Sequence, residues 1–311
     1  MAPADMHRPV QIIINPHSGY GGNRQKLLSL RSAFRERGLR SVEYVTTCAG
    51  DATRYARAVA PKTSVVVVWG GDGTANEVAN GLAGTGVPMI PCPVGTENLL
   101  AKELRIPSHP RRIAEIVAAG QTVDCDLGRI NDRNFLMIIG IGFDAEVVRR
   151  LSSQRTGHIS HLSYFWPMWR TFWEHDFPRM RIVADGEELF KDYALAFVGN
   201  ISRYATGLRI CRDARFDDGL LDLVVFPCRE QSALLLHAAW TLLRLHPLKG
   251  GVIYRRVHRV RIETDRPSHC QVDGDLGPNT PVDISVAPEK IKLMVPPQTN
   301  GWTFWPWRGG A

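Results

Sequence analysis

The run Val65-Val66-Val67-Val68-Trp69-Gly70-Gly71-Asp72-Gly73-Thr74 joins an apolar stretch to a knot of glycines around one acid. Four valines without polar alternation predict a strand buried on both faces, as inside a parallel sheet. Glycines at the end of such a strand let the backbone bend and approach a ligand with no Cβ in the way. Val78, Ala79 and Leu82 then return at helical spacing, so a helix begins just past the turn, and its unpaired N–H groups suit a phosphate. Asp72 sets a carboxylate beside that anion site, which fits a divalent cation bridging it to phosphates. No Gly-Lys-Ser/Thr follows, so this is not a Walker loop, and the dinucleotide spacing is absent too. A second concentration of acids, Asp213, Asp217, Asp218 and Asp222, surrounds Gly219. Carboxylates packed around a glycine turn suit a hard cation with oxygen ligands.

These residues need a scaffold, and the pattern supplies one. Val10 to Ile14 reads as a strand ending in the glycine-rich turn Asn15 to Gly22. A helix is expected over Lys26 to Gly38, a strand over Ser41 to Thr46, a helix over Thr53 to Val59 and a strand over Val87 to Cys92. Helices over Leu99 to Leu104 and Arg112 to Ala119 follow. Repeated strand–helix units predict a parallel sheet with helices on both faces, which binds ligands at the carboxyl ends of its strands. From about Asp124 the rhythm changes. Thr122 to Asn131, Arg133 to Ile141, Met180 to Asp185, Tyr193 to Asn200, Leu220 to Phe226, Val257 to Thr264 and Val282 to Ala287 read as strands with few helices between, a β-rich unit of antiparallel type. The expected organisation is a nucleotide-binding α/β domain over 1–123 and a β-rich domain over 124–295, with the tail 296–311 free to pack back on the first.

Gly70 to Thr74 resembles the nucleotide loop of the diacylglycerol kinase catalytic family, which includes bacterial lipid kinases, ceramide kinases and sphingosine kinases; NAD kinases carry the same loop. Asn15-Pro16-His17-Ser18-Gly19 resembles the lipid kinases' opening, and Thr46-Thr47-Cys48-Ala49-Gly50-Asp51-Ala52 their second nucleotide contact. Asp51 reads equally well as a helix cap. Pro93-Val94-Gly95-Thr96-Glu97-Asn98 resembles P-x-G-T-x-N, but Leu99-Leu100 stands where the family usually has Asp-Phe. The resemblance implies ATP contacts by Asn15, Ser18, Thr46, Gly70, Gly71, Asp72, Gly73, Thr74, Glu77, Gly95 and Thr96. Gly140 to Ala145 resembles G-x-G-F-D-A, with Asp144 read as structural. Asp218-Gly219-Leu220-Leu221-Asp222 resembles D-G-x-L-D and implies a structural Mg²⁺ on the Asp218 side chain and the carbonyls of Arg215 and Leu220. Gln271-Val272-Asp273-Gly274-Asp275 resembles the D-G-E segment, with Asp275 in place of Glu. There Asp273 would be the general base, and Asp72 would serve catalysis through the metal–ATP complex. These motifs span Ile12 to about Val295 in family order.

The implied activity is γ-phosphate transfer from ATP, with Mg²⁺, to a hydroxyl of a lipid such as diacylglycerol, a step of phospholipid metabolism. Two rivals remain open: an NAD kinase, and a catalytically inactive nucleotide- or membrane-binding protein. Composition fits the first reading. The 311 residues suit two domains, the 44% hydrophobic and 22% charged shares suit a globular protein, and the net charge of +7 suggests an anionic partner. No zinc finger or RNP-type motif points to nucleic acid. No apolar run reaches the roughly 18 residues of a membrane span, and Met1 to Pro9 does not resemble a secretory leader. Six scattered cysteines fit a reducing cytoplasm. Peripheral membrane contact is expected. The aromatic run Tyr164, Phe165, Trp166, Trp169, Phe172, Trp173 and Phe177 reads either as core or as a lipid-entry face. The basic run Lys249, Arg255, Arg256, His258, Arg259 and Arg261 reads either as a headgroup contact or as a solvated strand edge. The aromatic tail Trp302 to Trp307 packs on protein or membrane, and a homodimer stays open.

Overall fold

The computed structural model describes residues 8–18, 23–153, 161–204, 208–248 and 250–297. Its first strands are the apolar runs of the sequence: β1 (Val10–Ile14) and β3 (Val65–Gly70) are buried at every residue. With β2 (Ser41–Val45) and β4 (Pro88–Pro93) they form a parallel ladder ordered β2-β1-β3-β4. β2 lies at the edge and leaves Val42 and Val45 exposed. The crossovers are α1 (Asn23–Glu36), α2 (Asp51–Val59) and α3 (Asp72–Leu82); α4 (Leu99–Glu103) and α5 (Pro110–Ala119) follow β4. α5 opens on Pro110 and stops at Gly120, whose φ of 67° is the left-handed cap that glycine favours.

β5 (Thr122–Ile130) begins the antiparallel part. β6 (Arg133–Phe135), β7 (Ile138–Ile141), α6 (Phe143–Ser153), α7 (His161–Glu174), β8 (Arg179–Ala184), β9 (Glu187–Gly199), β10 (Leu221–Pro227), α8 (Gln231–Leu242), β11 (Ile253–Val257), β12 (Arg259–Thr264), β13 (His269–Val272), β14 (Asp275–Asn279) and β15 (Val282–Met294) complete it. The strand path runs β14-β13-β7-β9-β8-β12-β15-β4-β3-β1-β2, so one continuous network links both parts. The fold is a parallel α/β sheet followed by an antiparallel β-rich region. A core of Ile12, Val67, Phe34, Leu82 and Ile90 fills the first part and extends to Ile291 and Leu293. A second core of Ile130, Phe135, Ile139, Val260 and Ile284 fills the β-rich part.

Several expected strands differ for local reasons. The run from Arg133 to Ile141 divides into β6 and β7 because the amides of Leu136 and Met137 serve a side chain, the Asp273 carboxylate. The run from Val257 to Thr264 divides at His258, whose amide donates to Asp185. β15 extends past Ala287 to Met294: an irregular register between Val286 and Lys290 hides its alternation, and beyond it Lys292 and Leu293 pair in parallel with Pro88 and Met89 of β4. The return to the first sheet is thus made by β15; the tail Trp302 to Trp307 lies outside the described residues. α6 was not expected. Its Gly-Phe-Asp-Ala start reads as a motif, yet Ala145, Val147 and Leu151 bury a helical face.

Candidate nucleotide and phosphoryl-transfer site

Three turns meet at the carboxyl ends of β1, β3 and β4. Asn15, just past β1, donates from Nδ2 to Thr74 Oγ1 of α3 at 3.0 Å. The Ser18 hydroxyl accepts the Gly71 N–H at 3.2 Å. After β4, Gly95 N–H donates to Asn98 Oδ1 at 2.7 Å and the Asn98 amide returns a bond to the Gly95 carbonyl at 2.8 Å, closing a tight turn. A Cβ on Gly95 would stand 2.6 Å from the Gly71 Cα, so the two turns touch backbone to backbone. Gly70 is equally constrained, since its Cβ would meet Thr74 at 2.6 Å. Gly73 differs: it is exposed, with open space where a Cβ would be. Asn15, Ser18, Gly70, Gly71, Thr74 and Gly95 are therefore brought together, with Gly73 and the exposed Thr96 at the rim.

The acids around this floor bind protein amides. Asp72 accepts the N–H groups of Leu99 at 3.0 Å and Leu100 at 3.3 Å, the start of α4. Burial pushes its carboxyl above the usual range, against the pull of those two amides. These donors are main-chain amides that any residue but proline carries, so the departure at Leu99-Leu100 leaves the hold on Asp72 intact, while the Leu100 side chain is core. Glu77 accepts from Gly50 and Ala52 at 2.9 and 3.1 Å, capping α2 from the neighbouring helix. Thr46 is buried and donates to the Ile14 carbonyl. Asp51 accepts from Tyr44 and from the Thr47 amide and hydroxyl, bracing the turn before α2.

In the β-rich part, Asp218 accepts the Leu220 amide on Oδ1 at 3.1 Å, and its Oδ2 is paired with Arg256 of β11. The donors proposed for a structural Mg²⁺ are hard oxygens, as that ion prefers, but the carboxylate face already carries a guanidinium. The fit is poor, and no step is assigned to an ion there. A residue the sequence reading passed over braces this turn. Asp126, 1% exposed, accepts the Gly219 amide at 2.7 Å and pairs with Lys290 at 2.7 Å. Its only signal was an acid in the middle of a buried strand. Asp222 is fully buried against Tyr254, and burial pushes it up to about 7.

Asp273 begins the turn between β13 and β14 with φ of 52°. Its carboxylate accepts three amides, Leu136 at 2.7 Å and Met137 and Ile138 at 2.9 Å. Burial nevertheless pushes it up to about 6. Two residues on, Asp275 is 45% exposed, with Arg133 at 3.8 Å. Asp144, at the start of α6, is bonded by the Tyr204 hydroxyl, and burial pushes it up to about 6. Of the aromatic run, Trp169 and Trp173 are 47% and 60% exposed while Phe177 is buried; side chains 161–167 lie outside the described residues. Of the basic run, Lys249 is also outside them. Arg256, Arg259 and Arg261 are paired with Asp218, Asp283 and Glu263, as a strand surface would be.

Comparison with known proteins decides between the families that share the glycine loop. Residues 9–130 match the diacylglycerol kinase catalytic domain, and residues 137–295 match the YegS C-terminal NAD kinase beta sandwich-like domain. The chain belongs to the diacylglycerol kinase catalytic family. It is 33% identical over 295 residues to a diacylglycerol kinase of Mycobacterium tuberculosis, covering 92% of this chain and 95% of that one. A diacylglycerol kinase of Bacillus subtilis is 27% identical over 291 residues, covering 92% and 96%. A crystal structure of a diacylglycerol kinase from Bacillus anthracis superposes with a TM-score of 0.73 at 26% identity, covering 93% of this chain and 98% of that chain. This is a lipid kinase, a phosphotransferase that takes ATP as its phosphoryl donor. Among the described residues no helix is long and apolar enough to cross a membrane.

Proposed function

We propose that this lipid kinase phosphorylates the free hydroxyl of diacylglycerol, with Mg-ATP on the α/β part up to about residue 123 and the acceptor reaching it from the β-rich part over 124–295. The observation that supports this reading is the backbone contact of Gly71 with Gly95, which lays a Cβ-free floor at the carboxyl ends of β3 and β4. Backbone amides there and at the start of α3 would cradle the phosphates. Asn15, Ser18 and Thr74 would hold the floor in place, while Thr46, Glu77 and Thr96 shape its border. Asp72 would meet the Mg²⁺ that arrives with ATP through lone pairs its two amides leave open.

The chemistry needs a proton acceptor, because a neutral alcohol is a poor nucleophile. In the proposed step the lipid oxygen bonds to the γ-phosphorus, its proton passes to a carboxylate of the Asp273–Asp275 turn, and the bond to the β-phosphate oxygen breaks, leaving ADP with the electron pair. Asp273 has the raised carboxyl that suits a base near neutrality, though its three amide donors leave it one open direction. Asp275, in the same turn, is the more open carboxylate, its side chain 45% exposed beside Arg133. For a structural Mg²⁺ to join Asp218, Arg215 and Leu220, Arg256 must first swing away. Peripheral membrane association completes the proposal, since the acceptor resides in a bilayer, and exposed Trp169 and Trp173 suit its interface.

The test is transfer of labelled γ-phosphate from ATP into diacylglycerol, phosphatidylglycerol, a sphingoid base and NAD in parallel, the lipids in mixed micelles. Label in diacylglycerol alone is expected. Label in another lipid moves the acceptor; label in NAD alone overturns the assignment.

A further inference from the structure

α8 shows its surroundings the face a soluble helix usually hides. Its inward side is mixed: Ala233 and Leu234 pack against the core, but the two buried residues, His237 and Thr241, are polar. His237 bonds the Pro227 carbonyl through Nε2 at 2.8 Å, and Thr241, one turn on, donates to the His237 carbonyl. Its outward residues are Leu235, Leu236 and Leu242, continued beyond the helix by Leu243, Leu245 and Leu248, all between 39% and 73% exposed. None of its 12 residues is charged.

Cations gather where this face ends. His246 bonds the Ile210 carbonyl at 2.7 Å, and Arg212 donates to the Arg244 carbonyl at 3.3 Å, so the segment 209–212 is held against the end of α8. Arg209 sits there half-buried; burial lowers its pKa, and Arg203, Arg244 and Arg105 press it the same way. Each of the three lies near enough to Arg209 to act on it, while Arg212 beside them is paired with Asp213. Glu103 lies among them, its carboxylate engaged by Ser202 and Arg203. At the other end of α8, Gln231 donates to the His175 carbonyl at 3.4 Å, just past the helix that exposes Trp169 and Trp173.

We propose that the leucine face of α8 and the arginines at its end form a docking surface for an anionic phospholipid bilayer, the helix lying in the plane of the headgroups. Exposed leucines beside guanidiniums match an interfacial helix, whose apolar side enters the acyl boundary while cations meet phosphates. A 12-residue helix is too short to span, which takes about 20 residues. The helix carries no acid of its own and guanidiniums lie at its end, a charge balance that suits anionic headgroups. The inference rests on the lipid-kinase reading for its purpose: it sets the cleft against the membrane that holds the acceptor.

The experiment sediments the full chain with vesicles of phosphatidylcholine, with and without phosphatidylglycerol, for wild type, the double variant Leu242→Ser/Leu243→Ser, and Arg244→Gln. Both sites are exposed, so folding should survive, and activity on a monomeric short-chain diacylglycerol checks it. Expected is salt-sensitive binding to the anionic vesicles only. The double variant should bind at least about tenfold more weakly, less than the transfer of two leucines would allow. Arg244→Gln should lose a few-fold, and both should keep monomeric-substrate activity. Wild-type binding by either variant overturns the inference, as does a wild-type dimer in velocity sedimentation that the leucine variant splits. Vesicle binding that depends on this face without transfer to any lipid would sink the kinase reading alone. Transfer by a wild type whose vesicle binding ignores the face would sink only the docking surface.

Discussion

At the carboxyl ends of the parallel strands, Asp72 and Glu77 each accept two amides at helix starts, and the surface left for a ligand is backbone. Burial raises Asp72 as well, and in the antiparallel part it pushes Asp144 and Asp273 up to about 6 and Asp222 to about 7. A site for a polyanion gains from amides and helix starts and loses from free carboxylates close by. A site that accepts a proton gains from a carboxyl held near neutrality. On the proposed reading the two regions divide one reaction, nucleotide affinity on the glycine floor of the α/β part and proton acceptance at the Asp273–Asp275 turn.

The largest expected effect breaks the second half. Asp273→Asn or Asp275→Asn, whichever supplies the base, lowers kcat roughly 10²–10⁴-fold, and steady-state rates on the two variants side by side identify it. Next, Gly95→Ala drives a Cβ to within 2.6 Å of the Gly71 Cα. Parting the two turns at a cost of a few kcal/mol should weaken ATP binding on the order of a hundredfold, read by calorimetric titration. If Asp273 is the base, kcat at saturating ATP rises about tenfold per pH unit up to about 6 and then levels. A flat profile across pH 6 assigns the proton elsewhere.

Stability should show the same contrast. A buried carboxyl with a raised pKa contributes fully below its unfolded value of about 3.9 and loses that contribution as pH rises through its folded value. For Asp144, Asp273 and Asp222 this window runs from about 4 up to about 7, so the melting temperature should fall across it. Asp222→Asn should make the fall shallower by on the order of 1–2 kcal/mol. An unchanged slope would show that Asp222 is ionised throughout. The smallest effect belongs to the caps: Glu77→Ala removes both acceptors from the start of α2 and should cost about 1 kcal/mol, measured by denaturant unfolding.

Much of this was legible in the chain because backbone demands leave strong marks. Val65 to Val68 could only be a doubly buried strand, and Gly70, Gly71 and Gly95 stand where a Cβ would collide. What could not be read is where each acid points. Glu77 resembled a nucleotide contact, and its carboxylate also caps α2; Asp218 resembled a metal ligand, and its carboxylate also pairs with Arg256. Both partners lie far off in sequence, on other elements. Asp126 had no motif at all, since its partners Gly219 and Lys290 meet it only after β5 and β15 pair. The extent of β15 was hidden by an irregular register, and the exposed leucines of α8 by a composition that suits a core helix equally well.

The division of labour is tested most directly by measuring ATP affinity and saturated kcat on the same preparations of Asp273→Asn and Gly73→Ala. Gly73 has open space around it and no strained φ, so its Cβ meets only the ligand. Opposite losses are expected: Asp273→Asn keeps wild-type ATP affinity and loses turnover, while Gly73→Ala binds ATP about tenfold more weakly and keeps turnover at saturation. If Asp273→Asn loses ATP affinity, or Gly73→Ala keeps it, the two parts do not divide the reaction in this way.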